Sequence, residues 1–161
     1  MPQRGIDMMR APRAIDWAAL RASGIGFAML GTACVHHAPR AAAAGLAVGL
    51  VCGARERADT ILSAAAPYRG AITLWAACAV ESPAEAEAAE AVLARLAESG
   101  YAPMVRAESA VLRRAPELRR YPLWLCDWAI GEARALMENP RMRQWGRDPQ
   151  IPAGMNVGYF S

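Results

Sequence analysis

Lysine is absent from this chain of 161 residues, whose eighteen basic residues are all arginine. Against fifteen acidic residues they leave a formal charge of +3, too small a surplus to argue for nucleic acid. Phe and Tyr are scarce, and five tryptophans carry most of the aromatic surface. There is no Cys-x-x-Cys pair. Cys34, Cys52, Cys78 and Cys126 lie far apart, each in or beside an apolar run, so they are expected as buried free thiols and not as zinc ligands. His36 and His37 are adjacent, which on a strand would turn them to opposite faces, so a loop position is expected for them. No metal site and no cofactor is expected. A Gly-x-Gly-x-x-Gly fingerprint, a Gly-x-Ser-x-Gly elbow and a P-loop are all missing, which argues against dinucleotide, α/β-hydrolase and nucleotide-triphosphate chemistry. The apolar stretch 40–51 is too short to span a bilayer and is interrupted by Gly45 and Gly49. Residues 1–12 hold no apolar core of a signal peptide. The expectation is synthesis in the cytoplasm, with release by lysis or carriage on a phage or secreted assembly.

What is present is a globular composition, 55% hydrophobic and 20% charged, at a length that suits one domain over residues 1–161. Short apolar runs alternate with helical stretches. Strands are expected at 5–8, 26–31, 46–52, 71–80, 101–106 and 123–126, with two short candidates at 142–145 and 156–160. Helices are expected at 15–22, 38–44 and 55–66, with a short helix or loop at 107–112. The clearest helix opens at Ser82 and Pro83 and ends at Gly100. Glu85, Glu87 and Glu90 sit early, Arg95 sits late, and Ala89, Val92, Leu93 and Leu96 form an apolar face. Alternation at this spacing implies an α/β fold with a parallel sheet, read here as an irregular TIM-like β/α barrel of about eight strands with incomplete outer helices.

Several segments, in order, carry a resemblance to a known family. They are Gly5-Ile6-Asp7, Ile15-Asp16-Trp17, Ser23-Gly24-Ile25 with Phe27, and Ala44-Gly45-Leu46 with Val48-Gly49. Further along come Leu74 to Glu81, Gly100-Tyr101-Ala102-Pro103, Pro122-Leu123-Trp124-Leu125, Trp145 and Tyr159-Phe160. Together they make the chain similar, over nearly its whole length, to the glycoside hydrolase family 25 (Chalaropsis-type) lysozymes, as a shortened and divergent member. The resemblance implies an irregular barrel and cleavage of peptidoglycan glycan strands next to N-acetylmuramic acid.

It also implies where the chemistry would sit. Glycoside cleavage needs a carboxylic acid to protonate the leaving oxygen and a second carboxylate as nucleophile, base or charge stabiliser. The family's hallmark Asp-x-Glu is Ala79-Val80-Glu81 here, so Glu81 keeps the proton donor's position and Ala79 replaces the aspartate. Asp7 keeps the acid of the first strand. The family's late acid is Asn156, and its aromatic run after the third strand is Leu50-Val51-Cys52. Trp128 and Trp145 are candidates to stack on a sugar ring, and Asp127 is a candidate substitute acid. Blander roles stand beside these. Glu81 could cap the helix that follows it, Asp7 could bond a neighbouring loop, and the tryptophans could be core, Trp75 as mid-strand packing.

Two functions therefore stay open: a muramidase-type peptidoglycan hydrolase with weakened or absent turnover, or an inactive barrel serving as a structural or cell-wall-binding part of a phage particle or secretion assembly. A barrel using Cys52 or Cys78 as nucleophile is a third, without a histidine placed to activate either. The expected partners are peptidoglycan glycan strands and other assembly proteins, with no nucleic acid and no membrane span. Arg113, Arg114, Arg119 and Arg120 form a basic cluster around Pro116, either a solvated face or an attraction for an anionic surface.

Overall fold

The computed structural model describes residues 3–10, 14–126, 142–146 and 155–160, the last two segments through their backbone alone. Six strands, β1 (Gln3–Met8), β2 (Ile25–Leu30), β3 (Ala47–Gly53), β4 (Ala76–Val80), β5 (Pro103–Ala107) and β6 (Leu123–Leu125), pair in parallel in chain order. They form a curled sheet. Strand β7 (Met142–Gly146) pairs in parallel with β6, and β8 (Met155–Phe160) runs antiparallel to both β7 and β1, which brings the strand order back to its start. Helices α1 (Trp17–Ala22), α2 (Ala38–Ala43), α3 (Ala58–Ala65), α4 (Ala86–Glu98) and α5 (Ser109–Arg114) follow β1 to β5 in turn. The fold is α/β, as the alternation of apolar runs and helical stretches implies.

Both faces of the sheet are buried, which is why its strands read as continuous apolar runs instead of alternating ones. Phe27, Met29, Val51, Ala77, Ala79, Met104 and Trp124 pack together on the inner face. The residues between them, such as Ala28, Cys52, Cys78, Val80 and Val105, join the helices in the larger outer core. Into that core α4 sends Ala89, Val92, Leu93 and Leu96, the face its 3.6-residue period marks out. Gly100 stops the chain beyond α4 at φ 80°, a backbone that a side chain would strain. Asp16 caps α1, its Oδ1 accepting the Ala19 N–H at 2.9 Å. The other helices facing the sheet are short; α1, α2 and α5 have 6 residues each.

One expectation needs correction. The run 71–80 is not one strand: 66–71 form a 3-10 turn, and the N–H groups of Thr73 and Leu74 both go to Val48 O before the ladder proper begins at Ala76. Trp75 accordingly precedes β4, half-buried against one end of the inner cluster, and is not mid-strand. His36 and His37 lie off the strands, in a 3-10 turn, Val35–His37, between β2 and α2, with ring centroids 4.1 Å apart. Among the described residues no helix is long and apolar enough to cross a membrane.

Candidate functional site

In a parallel α/β sheet the C-terminal strand ends gather at one rim, where the connecting loops can converge on a ligand. Four features meet there. On β1, Asp7 is only 2% exposed, and its Cα registers with Met29 on β2 and with Asn156 on β8. Two of the sequence-predicted site residues are therefore backbone neighbours. Glu81 is the first residue beyond β4 and is exposed. Its carboxylate has no hydrogen-bond or ion-pair partner among the described residues.

The Glu81 side chain does not cap the helix that follows, whose entrance has no side-chain cap. Glu85 Oε2 accepts the Glu81 backbone N–H at 2.8 Å, while Glu85 Oε1 pairs with Arg55 Nε at 2.7 Å. The hydrogen bond from Glu81 holds the Glu85 carboxyl below its ordinary range, burial opposes this, and the Arg55 charge reinforces it. Glu85 therefore pins the backbone of Glu81 and leaves that residue's side chain uncommitted.

Ala79, facing the inside two residues before Glu81, registers with Gly53 on β3 and Arg106 on β5. Arg106 in turn registers with Trp124, and its guanidinium lies 5.0 Å from the centre of that indole ring. Around the rim from Ala79, the turn after β3 carries Glu56. This carboxylate accepts the hydroxyl of Thr32, which follows β2, and the N–H of Gly53 at 3.4 Å. Sequence reasoning passed over both Arg106 and Glu56. A charged residue within the apolar Pro103–Ala107 strand was a usable signal for the first. Glu56 sits in the charged stretch Arg55-Glu56-Arg57, where no pattern separates a held carboxylate from a solvated one.

Asp127 and Trp128 lie outside the described residues, and Trp145 and Asn156 are placed only as backbone on β7 and β8. Trp17 and Trp124 are core, 4% and 0% exposed. Cys52 and Cys78 are register partners buried in the outer core, away from the inner face. A hydrogen bond between the two, then burial, then nearby negative charge push the Cys78 thiol far up, and no histidine is among the groups acting on it. That setting suits packing and not nucleophilic attack. Among the described residues no cluster of His, Cys, Asp and Glu could hold a metal ion. The arginine cluster is divided: Arg119 Nε bonds Leu112 O at 3.2 Å and Arg120 pairs with Glu90 at 2.7 Å, whereas Arg113 and Arg114 line a shallow groove with Pro83, Ala110 and Val111.

Solved structures share this fold. The chain superposes on the CTP1L endolysin with a TM-score of 0.78 at 16% identity, covering 99% of this chain and 66% of that one. On a muramidase from Acremonium alcalophilum the TM-score is 0.70 at 16% identity, covering 98% and 93% of the two chains. On a family GH25 lysozyme from Aspergillus fumigatus it is 0.68 at 14% identity, covering 100% and 94%. This chain thus spans just under two thirds of the endolysin's length. No family model matches the sequence, and no curated protein does. The chain has the fold of the GH25 lysozymes and muramidases.

Proposed function

We propose that this chain is a lysozyme-like hydrolase of peptidoglycan glycan strands, built on the irregular TIM-like barrel of about eight strands that the GH25 resemblance implies. The observation that carries the reading is Glu81: a carboxyl group at the end of β4, exposed and without a side-chain partner, in the position the resemblance gives to the proton donor. The muramidase, lysozyme and endolysin likeness of the fold supports it.

In this reading a glycan strand lies across the rim, and Glu81 protonates the oxygen of the scissile bond. As that bond breaks, positive charge grows on the anomeric carbon and the ring oxygen, and a negative side chain at the rim stabilises it. Asp7 is proposed as the partner carboxylate whose charge, from within the sheet wall, favours this positive centre. Asp127 and Asn156, with Trp128 and Trp145 as ring-stacking surfaces, are proposed to complete the binding cleft. Ala79 supplies neither charge nor proton, so turnover is expected to be weak. The same residue favours the second reading, an inactive barrel that binds cell wall or assembles into a phage or secretion particle. The chain would then act outside the cytoplasm that makes it.

The deciding experiment digests purified peptidoglycan, reduces the new ends with borohydride and identifies them by mass spectrometry. Ends carrying reduced N-acetylmuramic acid are expected. Intact glycan with tight binding would transfer the case to the second reading.

A further inference from the structure

Resting on the hydrolase reading above, one question is which group works opposite Glu81. The site needs a second carboxylate able to reach the anomeric carbon or an attacking water. Asp7 is 2% exposed within the sheet wall, and the residue preceding Glu81 on its own face of β4 is Ala79. Glu85 is spent on Arg55 and on the Glu81 N–H. Glu108, just past β5, is exposed and held by no donor among the described residues.

Glu56 differs from all of these. It is half-buried, and its turn is closed by its own N–H donating to Gly53 O at 3.0 Å. Its two carboxylate oxygens accept from the ends of two adjacent strands, through the Thr32 hydroxyl after β2 and the Gly53 N–H on β3. A carboxylate has about four acceptor positions, so two remain for a water. Gly53 is the register partner of Ala79, and a Cβ built on Gly53 would meet nothing within 4 Å, so the wall has room at that point of the rim. Neighbouring strands lie about 4.8 Å apart. The turn carrying Glu56 follows β3 and Glu81 follows β4, so the two residues stand beyond the ends of adjacent strands.

We propose that Glu56 is a catalytic residue, the general base that compensates for Ala79. Glu81 gives its proton to the glycosidic oxygen, whose bond to the anomeric carbon breaks with the electron pair going to that oxygen. A water oxygen bonds to the anomeric carbon while its proton passes to Glu56. The products are two hydroxyl-ended glycans, and exchange with solvent returns the proton from Glu56 to Glu81.

The test compares reducing-end release from purified peptidoglycan by the natural chain, Glu56→Gln, Glu81→Gln, Glu108→Gln and Thr32→Val, with thermal melts to confirm folding. Glu56→Gln is expected to lose about 10²–10⁴-fold, Thr32→Val less, and Glu108→Gln little. Glu56→Ala supplied with azide is expected to recover turnover and yield a glycosyl azide, because the small anion takes the vacated place at the anomeric carbon. A purely structural glutamate would not give that product. A folded Glu56→Gln within about threefold of the natural chain, with Glu81→Gln inactive, would overturn the role of Glu56 and leave the hydrolase reading standing. So would a folded Glu56→Ala that azide fails to rescue. A folded natural chain that releases no ends would overturn the hydrolase reading, and the base with it.

Discussion

Glu85 Oε2 accepts the backbone N–H of Glu81 at 2.8 Å, four residues upstream, across the 3-10 turn that opens α4. This is the bond that holds the end of β4 to the start of the helix. A carboxylate at a helix entrance is favoured by the helix dipole, and here that place is filled by a residue other than the proposed proton donor.

Replacing Glu85 with Ala is expected to cost about 1–2 kcal/mol of stability, because it removes the acceptor of the Glu81 N–H and the Arg55 partner at once. Acid should act in the same direction. The Glu85 carboxyl is held below its ordinary value in the folded chain, so its contribution is complete above the unfolded-state value and fades as pH falls through the lower folded one. Melting temperatures of the natural chain and Glu85→Gln, measured from neutral pH to pH about 3, should converge towards the acid end. Parallel curves would refute the linkage.

Gly49 sits on β3 where the inner face is tightly packed. A Cβ there would lie 2.6 Å from the backbone oxygen of Trp75 and also against Met29. Since a carbonyl oxygen in the wall cannot step aside, Gly49→Ala is expected to destabilise by about 1–3 kcal/mol in urea unfolding. A neutral result would mean that the wall beside Trp75 yields more easily than its packing suggests.

No disulfide joins the four cysteines, and all four are buried. Burial pushes the Cys34 thiol up, and Cys78 is pushed further by its bond with Cys52. Native protein should therefore react negligibly with a disulfide reagent at neutral pH, and all four thiols should appear on unfolding. Rapid labelling of Cys52 or Cys78 in the folded chain would reopen thiol chemistry at this site.

The fold was legible because nearly every strand is buried on both faces. The six runs of the curled sheet stand out as apolar segments, and Gly24, Gly45 and Gly100 punctuate the helices before the next strand. The error at 71–75 has a physical cause: Ile72 and Leu74 look like strand residues, yet the backbone N–H groups of Thr73 and Leu74 share one carbonyl, Val48 O, and no ladder forms. The site was legible only in part. Asp7 and Glu81 could be named because motif spacing marks them. The roles of Glu85 and Glu56 depend on contacts four residues along a turn and across two strands, which composition and periodicity do not encode. Arg106 beside Trp124 follows from the register of β5 against β6, a relation that exists only once the sheet is assembled.

The most direct test of the central claim is reducing-end release from purified peptidoglycan by the natural chain beside Glu81→Gln and Ala79→Asp. The account predicts weak release by the natural chain, a loss of about 10²–10⁴-fold in Glu81→Gln with the melting temperature preserved, and a gain in Ala79→Asp. Release that survives unchanged in Glu81→Gln would contradict it, because the carboxyl at the end of β4 would then not be the proton donor.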